Sequence, residues 1–145
     1  MAVEEGPLHI PVSIGLVLPD GTDAPLRLSS EAVHAGTTRV LSLTAASQTF
    51  VFEDVPAAPV ASLLRNFSAP VVLQIEQTDA ELAHLMAHDS DAFNRWEAGQ
   101  RLATRVLLAG IAAGGEGAGW IPEAFVAACG RVLDAGLAGD PALAA

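Results

Sequence analysis

A chain of 145 residues with 51% hydrophobic and 17% charged residues has the composition of one folded domain or two small ones, not of a disordered segment. Its formal net charge of -10, with only 7 Lys and Arg, argues against nucleic acid and anionic membrane as partners, since both are gripped by basic surfaces. The single cysteine, Cys129, excludes an internal disulfide and suits a reducing compartment.

The first residues, Met-Ala-Val-Glu-Glu-Gly, carry no basic region followed by an apolar run, so no signal peptide is read there. The charge-free apolar stretch Val106 to Gly115 is far short of the ~20 residues of a spanning helix. A soluble, cytoplasmic protein is expected. Residues 7–76 read as β. In "LHIPVSIGLVLPDG", Leu8, Ile10, Val12, Ile14, Leu16 and Leu18 share one parity, the period of a half-buried strand. Pro19-Asp20-Gly21 supplies a turn, and residues 22–37 read as a polar loop. "TRVLSLT" (38–44) and "QTFVFEDV" (48–55), joined by Ala45-Ala46-Ser47, predict a hairpin. "PVASLLRNF" (59–67) and "VVLQIEQ" (71–77) follow prolines and read as further short strands. Such a series predicts an antiparallel sandwich.

The period changes at Thr78. Thr78-Asp79-Ala80-Glu81 fits a capping box, in which the Thr hydroxyl takes a helix N–H and the Glu reaches back to the cap N–H. Leu82, Leu85 and Met86 then form an apolar stripe. A second helix is predicted from about Ser90, with Asp89 and Asp91 at its positive end. On a helical wheel Phe93, Trp96, Leu102, Ala103, Val106, Leu107 and Ile111 fall in one half, and Asn94, Glu97, Arg101 and Arg105 in the other, which predicts packing on one side. "AAGGEGAG" (112–119) ends it. Trp120-Ile121-Pro122 opens a third helix, with proline at its first turn, to about Gly136. Asp140-Pro141 looks like a further helix start, and a chain ending at Ala145 reads as truncated there.

Glu81, His84 and His88 share a helix face, and His84 and His88 have the i, i+4 spacing of a zinc helix. A hydrolytic zinc helix needs a carboxylate directly after the first His to act on metal-bound water; here that residue is Leu85. A solvated polar face is the plainer reading. Cys129, in "FVAACGRVL", has small apolar neighbours and no adjacent base, as a packed core thiol would. No serine stands in a G-x-S-x-G elbow. "AAGGEGAG" follows a helix and lacks the lysine of a phosphate loop. Phe93 and Trp96, at i, i+3, read as packed aromatics. No nucleophile, base and orienter assemble.

In order and spacing, "LHIPVSIGLVLPDG", "QTFVFEDV", "FSAPV" (67–71) and "LMAHDSDAFNRWEAGQRLA" (85–103) resemble the bacterial aminopeptidase N family, zinc peptidases of the gluzincin type. Met86, His88, Phe93, Arg95, Trp96, Ala98 and Gln100 match a family pattern L-M-x-H…F-x-R-W-x-A-x-Q; His84 is not part of it. "DPALAA" (140–145) also fits. The resemblance implies the segment after the catalytic domain: an α+β order, with part of an Ig-like sandwich over 1–76 and the start of a helical domain of stacked helix pairs over 77–145. It implies that zinc and the H-E-x-x-H and G-A-M-E-N motifs belong to a preceding domain, with no catalytic or metal residue in this chain. It assigns Phe67, Pro70, Phe93 and Trp96 to the β/α junction. The partners implied are the preceding catalytic domain and the following helical domain. Uncovered strand edge would promote self-association. A free-standing sandwich/helix interaction module without enzymatic activity is the alternative.

Overall fold

The computed structural model describes residues 9–115 and 120–139. Leu8 of the first expected strand, the glycine-rich residues 116–119 and the "DPALAA" helix start lie outside the described residues. The chain divides into two compact units, Met1–Gln74 and Ile75–Ala145.

The first unit is a three-stranded antiparallel sheet in the order β2-β1-β3, with β1 Ile10–Val17, β2 Thr38–Leu43 and β3 Val60–Leu63. The central β1 pairs Val12 with Leu41 on one side and Ile14 with Leu63 on the other. Its even-numbered residues build the core. Ile14, Leu16 and Leu18 cluster with Ala24, Leu26 and Leu41, and Leu28, Phe50, Phe52 and Leu63 pack against them.

Four sequence expectations are corrected in this unit. The odd face of β1 is not exposed: Ser13 and Val17 are buried too. The Ser13 N–H donates to Ser68 Oγ at 2.8 Å, and Arg65 covers Gly15. Arg65 and Ser68, from the segment after β3, cover this face, so β1 has no solvent side to alternate against. Residues 22–37 are not a plain polar loop, because Ala24 and Leu26 are fully buried. The Ala24 N–H donates to Leu16 O, and Leu26 exchanges backbone bonds with Ala35 and Gly36. The 38–44/48–55 hairpin does not form. β2 pairs with β1, while residues around Val51 and Glu53 bond back to Arg27 and Ser29 through a single bridge, Leu28 to Phe52. Local β-propensity gave two extended runs, and long-range burial of Phe50 and Phe52 chose their partners. Residues 71–77 form no strand among the described residues.

The second unit holds α1 Asp79–His88, α2 Ala92–Ala112 and α3 Glu123–Gly139. The capping box is complete at α1. The Glu81 N–H donates to Thr78 Oγ1 at 3.2 Å, and the Thr78 N–H donates to Glu81 Oε2 at 2.7 Å. Asp91 caps α2, accepting from the Asn94 N–H at 2.9 Å. Two glycine-donated bonds close α2. Gly114 adopts φ 63, its N–H donates to Ile111 O, and the Gly115 N–H donates to Gly110 O, the paired bonds of a Schellman ending.

Leu82, Ala83, Leu85, Ala98, Leu102, Val106 and Ala128 are the buried apolar side chains of this unit among the described residues. The buried stripe of α2 is Ala98, Leu102, Val106 and Gly110, four apart. This corrects the wheel. Phe93, Trp96, Leu107 and Ile111 are exposed, because they lie off this line of small and branched residues. Arg101 and Arg105, on the opposite half, are held by the chain entering α1. Arg101 Nη1 donates to Gln77 Oε1 at 2.6 Å, and Arg105 Nη1 donates to Gln77 O at 2.7 Å.

Candidate functional site

A buried polar cluster in the first unit centres on Arg65, in the short 3-10 turn Arg65–Phe67 after β3. It is 1% exposed. Nη1 and Nη2 each donate to Asp23 at 2.8 Å, Nε donates to Ser62 Oγ at 2.9 Å, and Nη1 donates to Thr38 Oγ1 at 3.0 Å. A planar fork on a carboxylate is the geometry that makes a buried guanidinium tolerable. With every arm engaged inside the unit, the group is a clamp joining β2, β3 and the turn after β1. Sequence reasoning missed it. The signal available was an arginine inside an apolar run, "VASLLRNF", where an unpaired charge would be costly.

In the second unit the polar face of α1 carries His84 and His88, with ring centroids 4.9 Å apart and tilted by 47°. Burial lowers the His88 pKa first, and the nearby positive charges of His84 and Arg131 lower it further. Glu81 does not join them as a ligand. Its carboxylate is held by the Thr78 backbone N–H and hydroxyl, which lower its pKa from the ordinary value. Among the described residues, no three His, Cys, Asp or Glu side chains converge as a metal would require. The described residues therefore bring no zinc ligand set together, and no chemistry is routed through one. Cys129 is half-buried on α3.

Of the aromatic and proline positions singled out in the sequence, Phe67 ends the 3-10 turn and is 69% exposed; Trp96, on α2, is 59% exposed. Pro70 is exposed as well. Phe93 and Trp96 pair with ring centroids 5.6 Å apart. Among the described residues, no helix is long and apolar enough to cross a membrane. Among the described residues, the polar side chains named above cap, clamp and pin.

A β-sheet unit followed by a helical unit defines the class. Residues 2–76 match the family described as a domain of unknown function (DUF3458) with an Ig-like fold, and residues 79–145 match its companion, DUF3458_C, described as ARM repeats. The chain is 38% identical over 142 residues to aminopeptidase N of Escherichia coli, covering 98% of the chain and 16% of that protein. It is 38% identical over 96 residues to aminopeptidase N of Caulobacter vibrioides, covering 66% and 11%. A crystal structure of Legionella pneumophila aminopeptidase A in complex with aspartic acid superposes with a TM-score of 0.65 at 25% identity, covering 91% of this chain and 14% of that one. The chain belongs to the aminopeptidase N family and is homologous to its non-catalytic Ig-like and C-terminal helical portions. It spans 16% or less of the length of these relatives.

Proposed function

We propose that this chain is the connecting segment of a cytoplasmic zinc aminopeptidase that removes N-terminal residues from peptides. In this reading the parent protein's zinc and catalytic groups lie in a preceding domain. Residues 1–76 and 77–145 link that domain to the helical domain enclosing the active site. The segment's work is geometric: it holds the enclosing wall at a fixed position, and so limits entry to short peptides. The junction role of Phe67, Pro70, Phe93 and Trp96 belongs to this proposal. The observation that carries the reading is the identity of 38% to aminopeptidase N across 98% of the chain.

The test is metal content and activity on one purified sample of the 145-residue chain. Dialysed protein is analysed for zinc and assayed with alanine p-nitroanilide with zinc supplied. No stoichiometric zinc and no turnover is the expected result. One tightly bound zinc per chain, lost in His84→Ala or His88→Ala, overturns it and makes the α1 face a metal site.

A further inference from the structure

Within the second unit, α1 packs against both α2 and α3, and the hold on α3 is the thinner. Over residues 123–134 of α3, Ala128 is the buried side chain, while Val126 and Leu133 are 56% and 52% exposed. On α2, Ala98, Leu102, Val106 and Gly110 are buried along one line. An element with little buried apolar surface opens at a low free-energy cost.

The face of α1 that carries His84 and His88 meets a cation from this thinly held helix. The two rings stand 4.9 Å apart. Arg131 follows Ala128 by three residues, on the same side of α3. The charged groups that act on His88 are His84, from its own helix, and Arg131, from α3; among the described residues α2 contributes none, and no carboxylate offsets them. Glu81 is engaged by Thr78. Asp89 accepts from the Asp91 N–H at 3.0 Å. Asp134, three residues beyond Arg131, is exposed. Arg27, Arg39, Arg65 and Arg105 each pair with a carboxylate, whereas Arg131 pairs with none among the described residues.

We propose that Arg131 and the His84/His88 pair form an acid-sensitive latch between α1 and α3, and that a proton on His88 drives α3 off α1 ahead of the rest of the helical unit. At neutral pH the His88 ring is uncharged and α3 stays docked. A proton on that ring places like charges on both sides of the contact. Undocking α3 carries Arg131 away, but leaves His84 beside His88, because both sit on α1. Of the two charge repulsions, opening therefore relieves the one from Arg131. The undocked form binds the proton more tightly than the docked form, so docking weakens as pH falls below about 6.5. The weakening levels off once docked His88 is protonated as well.

The test is hydrogen exchange in the full-length protein carrying this chain, at about pH 7.5 and about pH 5.5, corrected for intrinsic rates. The amides of residues 127–132 in α3 are compared with those of residues 102–106 in α2. Between the two pH values, α3 protection falls at least about threefold relative to α2. Equal loss in both helices is general acid sensitivity and overturns the latch, as does an α3 that keeps its protection. His88→Gln abolishes the relative fall, and Arg131→Gln reduces it to less than half. Arg131→Lys keeps the charge and restores it. An Arg131→Gln variant that lowers α3 protection equally at both pH values has lost packing alone, and contradicts the proposal. His84→Gln keeps the response, since the His84 charge stays beside His88 in both states. A response lost in His84→Gln and retained in Arg131→Gln belongs to α1 by itself, and overturns the latch.

Discussion

The guanidinium of Arg65 lies against Gly15, occupying the space where any other residue at that position would place its Cβ. The missing side chain on β1 and the buried charge after β3 are one feature. The sheet can hold a guanidinium inside because glycine leaves the room, and Asp23 supplies the counter-charge.

Two substitutions test that pairing. Arg65→Ala leaves the Asp23 carboxylate, 13% exposed, without its buried counter-ion, and is expected to destabilise the first unit by about 3–5 kcal/mol. Gly15→Ala pushes into the guanidinium and is expected to cost about 1–3 kcal/mol. The double variant should lose less than the sum, because with the guanidinium gone the alanine has room; urea unfolding of all four forms gives the coupling. Strict additivity would separate the two residues.

Glycines in the helices make opposite predictions. At Gly110 a Cβ would meet the ring of Trp120 at 2.3 Å, whereas at Gly130 it would meet nothing within 4 Å. The gain in helix propensity from Gly to Ala is about 1 kcal/mol at either site. At Gly130 that gain stands alone, so Gly130→Ala should raise stability by about 0.5–1 kcal/mol. At Gly110 displacement of the indole outweighs it, and Gly110→Ala should lower stability by about 1–2 kcal/mol. Thermal unfolding of the two variants checks the contrast, which disappears if Trp120 moves aside without loss.

The pH dependence near neutrality should come from His88. Its folded pKa lies below the ordinary 6.5 because burial, then His84 and Arg131, disfavour the charged ring. The unfolded chain therefore binds the proton first, and stability falls as pH drops below about 6.5 until the folded form is protonated as well. His88→Gln should flatten the Tm profile over that interval. Glu81 acts lower, with its folded pKa below 4.5. Its contribution is present above that value and is lost as pH falls further, so Thr78→Ala should reduce the acid sensitivity below about pH 4.5. A His88→Gln profile parallel to the parent's would remove His88 from the account.

The helical seam is tested by Leu102 against Trp96. Leu102 is 2% exposed, and Leu102→Ala should cost about 2–5 kcal/mol. Trp96 keeps more than half its surface in solvent, so in the 145-residue chain Trp96→Ala should cost less than about 1 kcal/mol. Chemical denaturation monitored by far-UV circular dichroism reads both, and a larger loss at Trp96 would reverse the order.

The helices were the most legible part of the sequence, because their signals are local. Thr78 and Glu81 declare a cap within four residues, and Gly114 with Gly115 declares an ending. The direction of burial was not legible. Trp96 and Ile111 fall on the apolar half of a wheel, but a wheel does not record that the buried line of α2 runs through Ala98, Leu102, Val106 and Gly110. In the sheet, parity correctly picked Ile14, Leu16 and Leu18 as core. It could not show that Ala24 and Leu26 join them, or that Phe52 bridges to Leu28, because those pairings are set by long-range burial. The Arg65–Asp23 pair spans 42 positions, and no local pattern encodes it. The family resemblance came from ordered motifs covering both units, and it carried the functional reading where side-chain chemistry offered none.

The central claim is that this chain is a non-catalytic segment of an aminopeptidase. The most direct measurement sets the full-length protein carrying the segment beside the 145-residue chain. Both are assayed for bound zinc and for turnover of alanine p-nitroanilide. The full-length protein is expected to carry about one zinc and to show sustained turnover, and the chain alone to show neither. A full-length protein that binds no zinc and hydrolyses no aminoacyl anilide, or a 145-residue chain that does so unaided, would contradict it.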